Sequence, residues 1–343
     1  MEKSLDRLQE DLASRGTARI FIEIFVFFTE FIIGILGNFL VVWVLYKKRR
    51  DGKVIHYFIA ALAVSDILLI ADHIFLTTPV LALSKWPFHD IFCQLHGILN
   101  FLCVSASVLV MAAAAVNRYF QVVRRNYYRL IFTPRRTKLI ICAAWMLACI
   151  TPTQYLASGG RYIFNPGKCF CFQEYSLQLN TWLVYANVFI SMNVIILCYY
   201  KIFRTIQNHQ AAMKENRNSI SGPSTQDIKV TRTLFLTVVG FLICWTPILV
   251  IDIIDFVKGE FALPRELYFL YTYVGVLSSV INPFIYGAMN PMFREEYKKV
   301  FRIATFRGRN SAVVHVEAAA GVSSVSGRNR GANDTKSTEI EAA

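Results

Sequence analysis

The stretch IFIEIFVFFTEFIIGILGNFLVVWVLY (residues 20–46), followed at once by KKRRDGK (residues 47–53), decides the fold. A helix crosses the hydrocarbon core of a bilayer with roughly 20 mostly apolar residues. This run supplies them with only Glu23 and Glu30 as charged interruptions. Six further blocks of the same kind follow at about 56–83, 91–122, 138–157, 179–203, 230–257 and 265–289. In lipid every backbone N–H and C=O must be bonded within the protein, which leaves helices or a closed barrel. A barrel strand takes roughly 9–11 alternating residues, and these blocks are longer and do not alternate. The expected fold class is all-α, a seven-transmembrane helix bundle occupying residues 20–289.

The 343-residue chain carries 36 Lys and Arg against 23 Asp and Glu, a net charge of +13. Such an excess can serve nucleic acid, but its placement follows the membrane instead. Lys47, Lys48, Arg49, Arg50 and Lys53 follow the first block, and Arg124, Arg125, Arg129, Arg135, Arg136 and Lys138 lie between the third and fourth. Lys201, Arg204, Lys214, Arg217, Lys229 and Arg232 flank the fifth-to-sixth connection, and Arg294, Lys298, Lys299 and Arg302 follow the seventh. The opposite loops hold a few basic residues (Lys85, Arg161, Lys168, Lys258, Arg265) mixed with acids. The positive-inside rule then predicts an extracellular N-terminus (residues 1–19), a cytosolic C-terminus and a multi-pass plasma-membrane protein that takes lipid, not nucleic acid, as its partner. Residues 1–19 alternate in charge and lack the apolar core of a signal peptide. The Asn-x-Thr site at Asn333 falls on the cytosolic side and is expected to stay unglycosylated.

The connection at about 207–228 is polar and reads as a loop. Residues 290–302 read as a short amphipathic helix lying in the lipid interface, with Phe293, Tyr297, Val300 and Phe301 at helical spacing among basic residues. Residues 303–343, rich in Ala, Gly, Ser and Asn, read as a disordered cytosolic tail. Cys103, Cys142, Cys149, Cys198 and Cys244 fall inside spans and read as packed small apolar residues, whereas Cys93, Cys169 and Cys171 lie on the oxidising side.

Polar side chains inside apolar spans are costly, so each is a functional hypothesis. Asn38, Asp66, Ser107, Ser278 and Asn282 stand at matching depth in four different spans. Hydroxyls and amides around one carboxylate are oxygen donors of the kind a hard cation takes, so allosteric Na⁺ is the metal considered. No nucleophile–base pair and no other metal-ligand spacing appears, and the chain is not expected to be an enzyme. A transporter or channel is the alternative; it favours paired internal repeats, and none is visible between the two halves.

The motifs, taken in order, carry a resemblance. Gly37-Asn38 stands in the first span, Leu62-Ala63 with Asp66 in the second, and Cys93 heads the third, which Asn117-Arg118-Tyr119 closes. Trp145 marks the fourth span, Phe241-x-x-Cys244-Trp245-x-Pro247 the sixth and Asn282-Pro283-x-x-Tyr286 the seventh, followed by Phe293. With these the chain resembles the rhodopsin-like (class A) G-protein-coupled receptors over all seven spans. Asn-Arg-Tyr, the run Gly240–Trp245 and the helix Phe293–Lys298 are also similar to the melatonin receptors, although Asn-Pro-x-x-Tyr here is the common form.

The resemblance implies an extracellular ligand and activation of a heterotrimeric G protein by outward movement of the sixth helix, with arrestin and a receptor kinase as further partners. Its switch residues would be Asn117, Arg118, Tyr119, Tyr199, Asp227, Trp245, Pro247, Asn282, Pro283 and Tyr286. Asn117 replaces the family's usual acid, which leaves Asp227 as the latch for Arg118, or as a solvated loop acid. Ser191 stands where the family has a fifth-span proline. Cys93 is implied to bond the loop between the fourth and fifth spans, with Cys171 favoured over Cys169. The ligand pocket is expected among Asp72, His73, Asn100, Phe101, Val104, Asn187, Trp245, Asp252, Tyr268 and Thr272, with Cys103, Gln154 and Tyr155 bordering. Asn100 replaces the aspartate that monoamine receptors resemble one another in having. Val276 stands where opsins carry the retinal lysine, so no retinal and no other cofactor is expected. A small molecule, a lipid or a short peptide remains open as the ligand. Ser323, Ser324, Ser326, Thr335, Ser337 and Thr338 in the tail are candidate phosphorylation sites for arrestin.

Overall fold

A computed structural model describes residues 1–173, 179–215, 225–300 and 302. Its long helices are α2 (Thr17–Lys47), α3 (Ile55–Leu83), α4 (Asp90–Val122), α6 (Pro134–Ala157), α7 (Leu179–Glu215), α8 (Thr225–Lys258) and α9 (Arg265–Met289). These seven are long and apolar enough to cross a membrane. Two short helices, α1 (Glu2–Ala13) and α5 (Arg125–Ile131), a 3-10 turn at Arg49–Asp51, and a hairpin of β1 (Tyr162–Asn165) and β2 (Phe170–Gln173) complete the described elements up to Met289. Residues 291–300 are helical again.

α4 is the central helix, touching α3, α5, α6, α7 and α8, while α2 packs on α3 and α9. Gly34 permits that close approach: a Cβ there would come within 2.7 Å of Ile70 and 2.8 Å of Val280. The outward surface is apolar, with Phe21, Phe25, Trp43, Met146, Phe189 and Val257 exposed, as a lipid-facing wall requires. Cys142 belongs to that outer surface and not to the packed interior expected of it.

Two elements differ from the sequence reading. Residues 1–19 contain the helix α1, whose Leu8 and Leu12 are fully buried in the bundle's cores. Arg7 Nη2 donates to Phe261 O at 2.7 Å and Gln9 Nε2 to Ser84 O at 2.8 Å, so α1 is fastened across one end of the bundle. The polar connection at 207–228 is shorter than expected, since α7 runs to Glu215 and α8 begins at Thr225; residues 216–224 lie outside the described residues. The tail 303–343, with its serine and threonine clusters, lies outside them as well.

The hairpin pairs antiparallel, with Tyr162 opposite Gln173 and Asn165 opposite Phe170. Its turn places the non-glycine Cys169 at φ +58°, a left-handed conformation uncommon for a side chain with a Cβ. Cys171 is disulfide-bonded to Cys93 at the head of α4, which leaves Cys169 as the free thiol of the two. The hairpin presses close on α4: a Cβ on Gly97 would stand 2.2 Å from the Tyr162 ring.

Candidate functional site

Beneath the hairpin lies a cavity walled by α3, α4, α7, α8 and α9. Seven of the expected residues line it: His73, Asn100, Phe101, Val104, Trp245, Asp252 and Thr272. Asn100 Nδ2 lies 2.9 Å from His73 Nε2, and His73 Nδ1 lies 3.0 Å from Thr77 Oγ1. A neutral imidazole protonated on Nδ1 satisfies both contacts. The remaining wall is apolar, from Leu69, Ile248, Leu249 and Val276, with Ser105 beside them.

Three expected pocket residues lie off the cavity lining, each for a local reason. Asp72 turns to His96, whose Nδ1 is 2.6 Å from its Oδ2. Tyr268 donates to Asp255 Oδ1 at 2.5 Å and accepts from Leu263 N at 3.2 Å, so its hydroxyl is engaged outside the cavity. Asn187 is met by Ser191 Oγ at 3.5 Å, and the neighbouring Val188 faces the cavity in its place.

Sequence reading missed the hairpin's contribution. Phe170, Phe172 and Gln173 line the cavity together with Tyr271. Lys168, taken as an ordinary loop charge, is fully buried, and its Nζ reaches Asp252 Oδ1 at 3.2 Å. Tyr271 donates to Asp252 Oδ2 at 3.2 Å. Burial pulls the Lys168 ammonium below its ordinary pKa, and the carboxylates of Asp252 and Asp255 oppose that shift. The only trace in the sequence is the position of Lys168 three residues before Cys171.

At the cavity floor Trp245 stacks on Phe241 and donates through Nε1 to Ser278 Oγ at 3.2 Å. One layer further down, Asn282 Nδ2 donates to Asp66 Oδ2 at 2.9 Å. Ser279 also hydrogen-bonds Asp66, and Asn38 Nδ2 donates to the Ser279 carbonyl at 3.1 Å. The expected polar cluster therefore gathers around Asp66 through Asn282 and Ser279. Ser278 is drawn away to Trp245 and Gly275 O, and among the described residues no hydrogen bond ties Ser107 to Asp66.

At the opposite end from the hairpin, Asn117 and Arg118 are buried. Asp227 accepts from Gln121 Nε2 at 2.8 Å and shares a cavity with Arg118 and Tyr128. Gln121 was not anticipated; it lies one helical turn after Asn117 on the same face of α4. Tyr199 is buried against Phe235, while Tyr200 faces outward with 59% of its surface exposed. Pro247 and Pro283 sit inside α8 and α9, and Tyr286 stacks on Phe293 at 5.4 Å. Tyr119 is half-buried beside Phe120.

A seven-helix membrane bundle with an aromatic-walled cavity at one end and a buried arginine at the other is the architecture of a transmembrane receptor. The model of the seven-transmembrane receptors of the rhodopsin family matches residues 37–286, and the chain belongs to that family. It is 26% identical to melatonin receptor type 1A of Mus musculus, over 80% of this chain and 79% of that one. It is 27% identical to somatostatin receptor type 5 of Rattus norvegicus, over 82% and 77% respectively. To octopamine receptor beta-1R of Drosophila melanogaster it is 25% identical over 84% of its own length, and it spans 63% of that protein. The crystal structure of squid rhodopsin superposes with a TM-score of 0.73 at 21% identity, covering 84% of this chain and 87% of that one, which is a likeness of fold. A receptor family, not an enzyme family, is the outcome.

Proposed function

We propose that the chain is a plasma-membrane receptor, hairpin end outside, that takes an extracellular ligand in the cavity above Trp245 and activates a heterotrimeric G protein at the Arg118 end. The observation that supports this most is the stack of buried polar contacts below the cavity floor, from Trp245–Ser278 to Asn282–Asp66. A change at the cavity floor reaches α8 and α9 directly through these contacts. Pro247 removes one backbone hydrogen bond from α8 and gives it a place to bend. Outward movement of the α8 end that holds Asp227 would loosen the Gln121 contact and open Arg118 to the G protein. Arrestin and a receptor kinase would act on the same face.

The ligand is a small molecule, a lipid or a short peptide, held without covalent attachment. Val276 lines the cavity where a retinal lysine would stand. Relatives named for melatonin, somatostatin and octopamine match at similar identity, so no single ligand carries over. Asp66 and Asn38 fit an allosteric Na⁺: Asn38 Oδ1 is buried and has no hydrogen-bond partner among the described residues, and both supply oxygen donors. Bound there, Na⁺ would neutralise the Asp66 carboxylate.

The test is GDP release from purified heterotrimers of several classes, with lipid-reconstituted receptor and a panel of metabolites, lipids and peptides. Accelerated release by any pair is the expected result. No acceleration from any combination, by correctly inserted receptor, overturns the proposal.

A further inference from the structure

The roof of the cavity holds a charge where loop charges normally meet water. Lys168 sits in the turn between β1 and β2 with its side chain fully buried. Its Nζ lies 3.6 Å from the ring centre of Phe172 and 3.9 Å from that of Tyr271. Asp252 Oδ1 lies 3.2 Å from Nζ, and the other oxygen of that carboxylate is steadied by the Tyr271 hydroxyl at 3.2 Å. Among the described residues, the two nearest aromatic faces and a carboxylate surround this ammonium, with the Phe261 and Tyr268 rings further off at 5.9 Å, and these are the groups with which proteins recognise free amines. Here the host groups come from β2, α8 and α9, and the guest comes from the same chain.

We propose that Asp252, Phe172 and Tyr271 form an ammonium-binding subsite whose resident occupant is Lys168, a ligand tethered by the hairpin turn. The subsite accepts a free primary alkylammonium once that side chain is cut back.

The tether is held at several points, which is why the guest stays in place. Thr272 Oγ1 donates to the Lys168 carbonyl at 2.6 Å, and the Lys168 N–H donates to Asn165 Oδ1 at 3.0 Å. Three residues further on, Cys171 is bonded to Cys93. The backbone at position 168 is thus fixed by α9, by β1 and by the disulfide, which holds the side chain's root beside the subsite. A free amine arriving from outside competes with a guest whose local concentration is set by this attachment, so the intact chain excludes it. A ligand for the space below, toward His73 and Trp245, needs no cation of its own. This deepens the receptor reading by naming a subsite in its pocket, and it is testable without any signalling step.

Cutting Lys168→Ala removes the side chain beyond Cβ, leaving space shaped for n-propylammonium. The measurement is the thermal unfolding midpoint of the full-length protein in lipid nanodiscs, with n-propylammonium chloride and with uncharged 1-propanol as its isostere. The expected result is a lowered midpoint for Lys168→Ala, restored by about 3 °C or more by the ammonium and not by the alcohol. The intact chain is expected to show no such rise. Lys168→Met, which keeps the volume without the charge, and Lys168→Ala combined with Asp252→Asn should not respond either. If Lys168→Ala does not survive purification, its folded yield from cells grown with and without n-propylammonium is the measurement, and a severalfold rise is expected. A destabilised Lys168→Ala that the ammonium restores by neither route overturns the proposal and leaves an ordinary buried ion pair. That outcome together with intact GDP release would sink the subsite alone, not the receptor assignment.

Discussion

The two ends of the bundle are built on opposite plans. At the hairpin end Glu23 receives three guanidinium groups: Arg265 through two bonds of 2.8 Å, Arg19 at 3.0 Å, and Arg15. The same Arg15 donates to Leu81 O at 2.8 Å and Ser84 Oγ at 3.0 Å, so α1, α2, α3 and α9 are tied to one another through a few side chains. The disulfide and the paired hairpin add to that. At the Arg118 end neither side-chain atom of Asn117 nor Nε of Arg118 has a hydrogen-bond partner among the described residues. Among the described residues, a 2.8 Å bond from Gln121 to Asp227 joins α4 to α8 there. Buried polar atoms without a hydrogen-bond partner among the described residues occur at both ends, Arg265 Nε and His96 Nε2 at the hairpin end among them, so the contrast lies in the number of cross-ties. The difference teaches where this molecule can move. The hairpin end is braced, and the Arg118 end, with fewer cross-ties among the described residues, is poised.

The comparison is most exposed to changes at its braced pole. Glu23→Ala leaves two buried arginines without their shared acid, and a loss of about 3–5 kcal/mol is expected; thermal unfolding in nanodiscs reads it directly. A midpoint equal to that of the parent chain would mean the cluster braces nothing. Cys171→Ser releases the hairpin from α4 and should cost about 2–4 kcal/mol, seen as a lower midpoint and faster proteolysis within residues 162–173. At the poised pole Arg118→Ala is expected to lower ligand-driven GDP release by at least about tenfold, with no loss of thermal stability, since it removes a buried charge. A fall in both would place Arg118 among the braces. The smallest effect belongs to Gln121→Ala, which deletes one hydrogen bond worth about 0.5–1.5 kcal/mol. Ligand-free GDP release should rise several-fold; an unchanged basal rate would remove Gln121–Asp227 from the switch.

What the sequence revealed follows from range. The spans were legible because lipid imposes one rule on every residue of a long segment, and the seven apolar blocks match the seven helices to within a turn or so at most ends. Short elements were not. Leu5, Leu8 and Leu12 carry a helical stripe in α1, but a helix of that length is not stable in isolation, and its burial depends on contacts with Phe261 and Ser84 far along the chain. The cavity was half legible. Residues on helices, such as His73, Asn100 and Thr272, follow from span register, whereas Phe170, Phe172 and Gln173 depend on a hairpin whose placement only the folded chain determines. The burial of Lys168 is not legible in the sequence, because a loop lysine is mostly exposed. Nothing local tells that two rings and a carboxylate from other elements will enclose it.

Gly97 gives the hairpin a counterpart in the helix beneath. Because Tyr162 fills the place of the missing side chain, position 97 tolerates nothing larger while that ring is present. The third span thus bears an imprint of a loop translated after it. Grafting this hairpin onto a related receptor would therefore demand the same bare spot in its third helix, and a chain with alanine there would have to seat its lid higher, with a taller chamber below.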